Sequence, residues 1–96
     1  MRSPMLEIIA GRITITEKAL RAIRERPLTA QQIGIRISET RRAANWALLN
    51  LQYQEHSRAL RIPGTMQYEI TPAGKEWLDM LDEERRIFLD KKTPAR

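Results

Sequence analysis

The side chains best suited to chemistry in this sequence are hydrogen-bonding cations and amides, not nucleophiles. Thr40, Arg41 and Arg42 stand together, and Asn45 follows Arg41 by about one helical turn. A guanidinium forks onto a phosphate or onto the O6/N7 edge of guanine, and a carboxamide pairs with adenine through two hydrogen bonds, so this set suits a polynucleotide. Arg58, Arg61, Thr65 and Gln67 form a second polar group downstream, with the chemistry to meet a phosphate backbone or a minor groove. Catalysis is not expected. There is no cysteine, the one histidine, His56, has no thiol to activate, its neighbour Glu55 points elsewhere on a helix, and no glycine-rich phosphate loop is present. One histidine without cysteine is also a poor start for a zinc site, so neither metal nor cofactor is expected.

The elements that must hold these residues centre on LTAQQIGIRISETRRAANWALLNLQY, from Leu28 to Tyr53. Thr29 followed three residues later by Gln32 is a capping box, which fixes a helix start there and sets Gln31 in its first turn. Ser38 is expected to cap a second, longer helix, which puts a turn over Ile37 to Glu39. Gly34 is a fault of about 1 kcal/mol in a helix interior, and a close crossing with the next helix would explain it. Two helices joined by so short a turn, with Arg41, Arg42 and Asn45 near the start of the second, make the arrangement that carries a helix into the major groove. Thr29, Gln31, Ser38 and Thr40 would flank that contact.

The longer helix has two apolar faces. At about 100° per residue, Ala43, Ala44, Ala47, Leu48 and Leu51 gather on one side. Nearly opposite lie Trp46, Leu49 and Tyr53, in line with Arg42, while Arg41, Asn45 and Gln52 occupy the arc between. The first face is core. The second must be covered, by the C-terminal helix or by a second subunit, unless Trp46 stacks on a sugar or a base.

Around this pair the other elements fall in order. Thr14 to Glu17 form another capping box, opening a helix with Ala19, Leu20 and Ile23 inward and Lys18, Arg21, Arg24 and Glu25 outward, which must stop before Pro27. Ile13 to Ile15 has the composition of a brief strand. ALRI and MQYEI alternate around Pro63 and Gly64 as a β-hairpin, with Leu60, Ile62, Met66, Tyr68 and Ile70 inward. Thr71 caps a last helix with Pro72 at its first position. Trp77, Leu78, Leu81, Phe88 and Leu89 give that helix a broad apolar side, of which Trp77, Leu81 and Phe88 are candidates for a dimer contact. DEERR is read as solvated charge with pairing of the Asp82 to Arg86 kind.

The fold class expected is therefore mainly α with a small β-hairpin: three helices, a wing and a C-terminal helix. Residues 1–12 are read as an N-terminal arm, 13–71 as the domain, 72–90 as the C-terminal, dimerising helix and 91–96 as a tail. The chain has 96 residues, enough for one core. No apolar run nears the roughly 20 residues of a membrane span, and Glu7 interrupts MLEIIA, so a cytoplasmic protein is expected. The formal charge is +5 and its distribution is uneven: between Arg21 and Arg61 eight arginines face three glutamates, with no lysine among them.

YEITPAGKEWL, Tyr68 to Leu78, resembles the last wing strand and following helix of the MarR and PadR families of bacterial transcriptional regulators, in the form Y-x-L-T-x-x-G-x-x-x-L. Leu28 to Leu51 resembles their helix-turn-helix. The resemblance implies a winged helix-turn-helix fold and a homodimer that binds double-stranded DNA. Thr40, Arg41, Arg42 and Asn45 would then make the base and phosphate contacts, and Pro63 to Thr65 would be the wing tip. The D-x-R wing motif and the ligand-pocket framework of full MarR proteins are absent. A winged-helix module that binds a protein through Trp46, Leu49 and Tyr53 is the competing expectation.

Overall fold

A computed structural model describes residues 14–53 and 56–92, with side chains as far as Leu89. The N-terminal arm, Ile13 and the tail from residue 93 lie outside the described residues. The elements in order are α1 (Ile15–Arg24), β1 (Leu28–Thr29), α2 (Ala30–Arg36), α3 (Arg41–Tyr53), β2 (Ala59–Arg61), β3 (Gln67–Ile70) and α4 (Pro72–Lys92). The protein is thus mainly helical with a small antiparallel sheet.

Local signals set most helix boundaries. Thr14 caps α1, its hydroxyl accepting from the Glu17 N–H at 3.2 Å. Only that half of the expected capping box forms, because the Glu17 carboxylate is buried and bonds arginines instead. At α2 the box is complete: the Thr29 hydroxyl accepts from the Gln32 N–H at 3.2 Å, and the Gln32 Oε1 accepts from the Thr29 N–H at 2.9 Å. Ser38 is not the cap of α3. It sits beyond the end of α2 with φ 60°, in the left-handed region. The Glu39 N–H reaches back to the Gly34 carbonyl at 2.8 Å and the Ser38 N–H to that of Ile35 at 3.3 Å, a Schellman ending. The chain can then reverse within two residues, and Thr40 takes the cap, its hydroxyl accepting from the Ala43 N–H at 3.0 Å. Gly34 explains itself here: a Cβ would lie 3.0 Å from the Glu39 carbonyl oxygen and 3.2 Å from that of Thr40, so the start of α3 rests against it.

The sheet has three strands in the order β1-β3-β2. Its third member is not Ile13 to Ile15, since Ile15 opens α1; it is Leu28–Thr29, paired Leu28 to Tyr68 and Thr29 to Gln67. Those two residues tie the start of α2 to the hairpin. The hairpin itself pairs Ala59 with Ile70, Leu60 with Glu69 and Arg61 with Tyr68. Ala59, not Leu60, is therefore the inward residue of β2, and Leu60 stands beside Glu69 at 43% exposure. The turn closes through the Ile62 N–H to the Gln67 carbonyl at 2.9 Å, with Gly64 at φ 78°.

The core gathers Leu20 and Ile23 of α1, Ile33 of α2, Ala44, Ala47, Leu48 and Leu51 of α3, and Leu78 and Leu81 of α4. Leu81 is only 2% exposed, so it fills its own core and is not available to a dimer contact. Thr71 caps α4 as expected, accepting from the Gly74 N–H at 3.1 Å.

Charged residues lock α4 to α1. Glu17, wholly buried, accepts from both terminal nitrogens of Arg85 at 2.6 and 2.7 Å and from Arg21 at 2.8 Å. Arg21 also reaches Asp82 at 2.7 Å, and Arg24 bonds Asp79. Asp82 hence faces another helix instead of pairing with Arg86, which bonds Glu83 at 2.6 Å. Within DEERR, Asp82 and Arg85 thus serve the contact between helices, while Glu83, Glu84 and Arg86 are exposed as expected.

Candidate nucleic-acid interface

The residues singled out at the start of α3 come to a groove. Thr29, Ala30 and Gln31, Arg41 and Asn45 of α3, and Met66 and Tyr68 of the hairpin line it, around about 310 Å³. Each contributor is placed by something local. The Schellman turn and the Thr40 cap orient the first turn of α3, so Arg41 and Asn45, four residues apart, lie on the same side of it. Pairing of β1 with β3 sets Thr29 opposite Gln67 and brings the hairpin to the start of α2. Arg61, cross-strand from Tyr68, sends its guanidinium to the Met66 sulfur at 4.0 Å and so stands beside the groove.

Other sequence-derived candidates are used differently. Thr65 spends its hydroxyl in the turn, donating to the Ile62 carbonyl at 2.9 Å and accepting from the Gln67 N–H at 3.0 Å. Thr40 is engaged as the cap and Ser38 as the left-handed turn residue, so both shape the start of α3, with their side chains exposed. Arg58 leaves the hairpin face altogether: its guanidinium lies over the Trp77 ring, 4.5 Å from the centroid, in a separate cleft with His56, Glu76 and Met80. Met66 and Tyr68 are the groove residues that sequence reasoning did not assign to the site. The alternation of MQYEI predicts both inward, but only Tyr68 is half-buried; Met66 precedes β3 in the turn and is 63% exposed, and the pairing of β1 with β3 brings this end of the hairpin to Arg41.

Electrostatics sorts the arginines. Arg21, Arg24, Arg85 and Arg86 each hold a carboxylate within 4.0 Å. Among the described residues, Arg36, Arg41, Arg42 and Arg61 form no such pair, and α3 carries no acidic side chain. Among these residues Arg41 and Arg42 at the start of α3 and Arg61 on the hairpin are therefore unpaired cations on the side of the groove, as are Arg26 and Arg36 elsewhere on the surface.

The second apolar face of α3 remains open. Trp46, Leu49 and Tyr53 are 58%, 53% and 75% exposed. The chain's own C-terminal helix does not cover them, because α4 packs along α1 and β3. Among the described residues no group of three histidines, cysteines or carboxylates is arranged to hold a metal ion, and no helix is long and apolar enough to cross a membrane. No protein-family model, curated protein or solved structure matches the chain.

Proposed function

We propose that this chain is a winged helix-turn-helix regulator that binds double-stranded DNA in a sequence-specific way, with α3 entering the major groove and the β2–β3 hairpin lying beside it as the wing. The observation that carries the reading is the sorting of the arginines. Those of α1 and α4 are paired with carboxylates of the same chain, while Arg41 lines the groove, Arg61 stands beside it and Arg42 sits on the adjoining exposed face of α3, each without a carboxylate within 4.0 Å among the described residues. A helix start with two arginines and an asparagine offers both phosphate forks and base-edge partners. A two-fold pair of copies would set two such helices about one DNA turn apart, and sedimentation of the protein with and without duplex DNA tests that arrangement.

The experiment that tests the reading is binding to random-sequence duplex DNA at two salt concentrations, beside an Arg41→Ala, Arg42→Ala double variant. Wild-type affinity is expected to fall steeply with salt, and the variant to lose about 1 to 3 kcal/mol per arginine. Binding that is indifferent to salt, or equal in the variant, would sink the proposal. One observation favours a second reading, a protein-binding module: the exposure of Trp46, Leu49 and Tyr53. On that reading the two arginines are dispensable and substitutions on the apolar stripe abolish binding of the partner.

A further inference from the structure

The exposed stripe of α3 carries an inference that rests on the DNA-binding reading and goes beyond it. Arg42, Trp46 and Leu49 stand at i, i+4 and i+7, so they share one side of the helix, with Asn45 at i+3 on its edge toward Arg41. That side is opposite the buried one: Ala44, Ala47, Leu48 and Leu51 are inside, and Trp46 and Leu49 are more than half exposed. A helix laid in a major groove touches base edges with residues of this spacing. Two of the four positions are polar and two are large and apolar. Hydrogen-bonding edges cover most of the groove floor, and the apolar group it offers is the C5 methyl of thymine.

We infer that Trp46 and Leu49 are specificity-determining residues that contact thymine methyl groups, next to the bases met by Arg42 and Asn45. A second copy of the chain fits the stripe less well. Arg42 lies in line with it, and a symmetric contact would bury that cation from both copies with no acidic side chain anywhere on α3 to answer it. DNA answers the same cation with phosphate or guanine, and the face is continuous with the groove lined by Arg41 and Asn45.

The test starts from duplexes selected by the wild-type protein from a random pool. The winning sequence is then made with deoxyuridine in place of every thymidine, which removes the methyls and leaves each hydrogen-bonding edge intact. Wild-type binding should weaken about fourfold for each methyl buried, on the scale of one methylene moved out of water. The Trp46→Ala, Leu49→Ala variant should bind the two duplexes equally; if it binds neither, Leu49→Ala alone should show a reduced difference between them. A wild type indifferent to the methyls, or variants that keep the full wild-type sensitivity, would overturn the inference while leaving DNA binding in place. Failure to select any sequence would overturn the sequence-specific reading itself, and this inference with it.

Discussion

Glu17 shows how much one residue can hold. Burial by itself would raise its carboxyl pKa, but hydrogen bonds from Arg85 and Arg21, with their charges, outweigh that and hold it below the ordinary value of 4.5. The group therefore stabilises the fold fully above that value, and the contribution is lost as pH falls through the lower, folded one. Glu17→Gln should remove this acid-side loss, giving a flatter dependence of stability on pH below about 4.5. It should also cost about 3 kcal/mol in urea unfolding at neutral pH, near the low end for a broken buried pair because Arg85 keeps 18% of its side chain exposed. Arg85 depends on the pair as well: its two terminal nitrogens donate to Glu17, and its buried Nε finds no hydrogen-bond partner among the described residues. A variant as stable as the wild type, with unchanged acid sensitivity, would mean that the pair contributes nothing net.

At the scale of elements, the turn before α3 gives the sharpest expectation. Ser38 has a left-handed backbone, which costs a residue with a side chain roughly 1 kcal/mol and glycine little, so Ser38→Gly should raise the melting temperature. Gly34→Ala should lower it despite better helix propensity, because the added carbon comes within 3.0 and 3.2 Å of backbone oxygens of Glu39 and Thr40, which no side-chain rotation can relieve. Gly74→Ala should be worse still, since a Cβ there would overlap the Arg58 carbonyl oxygen. If Ser38→Gly melts lower than the wild type, or Gly34→Ala as high, the turn geometry described for α2 and α3 is wrong, and a Gly74→Ala variant that melts as high as the wild type would contradict the close approach of α4 to Arg58. The same residues show what the sequence made legible. Thr29 with Gln32, and Thr71 with Pro72, announce helix starts because each signal lies within four residues. Choosing between Ser38 and Thr40 as a cap requires knowing where α2 stops, and both are good capping residues, so the pattern pointed to the wrong one. β1 was illegible because two residues carry no period, and the Leu60 register failed because ALRI alternates either way. The core face of α3 and the groove residues Arg41 and Asn45 could be read from helical spacing, whereas the lining by Met66 and Tyr68 depended on pairing across 40 residues.

At the scale of the whole molecule, a formal charge of +5 says less than how it is divided. Arg24 serves the contact between α1 and α4, whereas Arg61 stands beside the α3 groove with a methionine sulfur as its near neighbour. The two substitutions should therefore separate stability from binding. Arg24→Ala removes a partly exposed ion pair with Asp79 and should cost about 0.2 to 1 kcal/mol of stability. It should leave the salt dependence of DNA binding unchanged, because a cation already answered within the molecule releases no counterion from DNA. Arg61→Ala should do the reverse: an unchanged melt, with the slope of log affinity against log salt shallower by about 0.9 if the guanidinium neutralises one phosphate. Measuring both slopes and both melts on the same preparations decides the matter. Equal slopes for Arg61→Ala and wild type would take the hairpin off the DNA and leave α3 to bind alone, while a shallower slope for Arg24→Ala would mean that the α1–α4 ion pairs open when DNA binds.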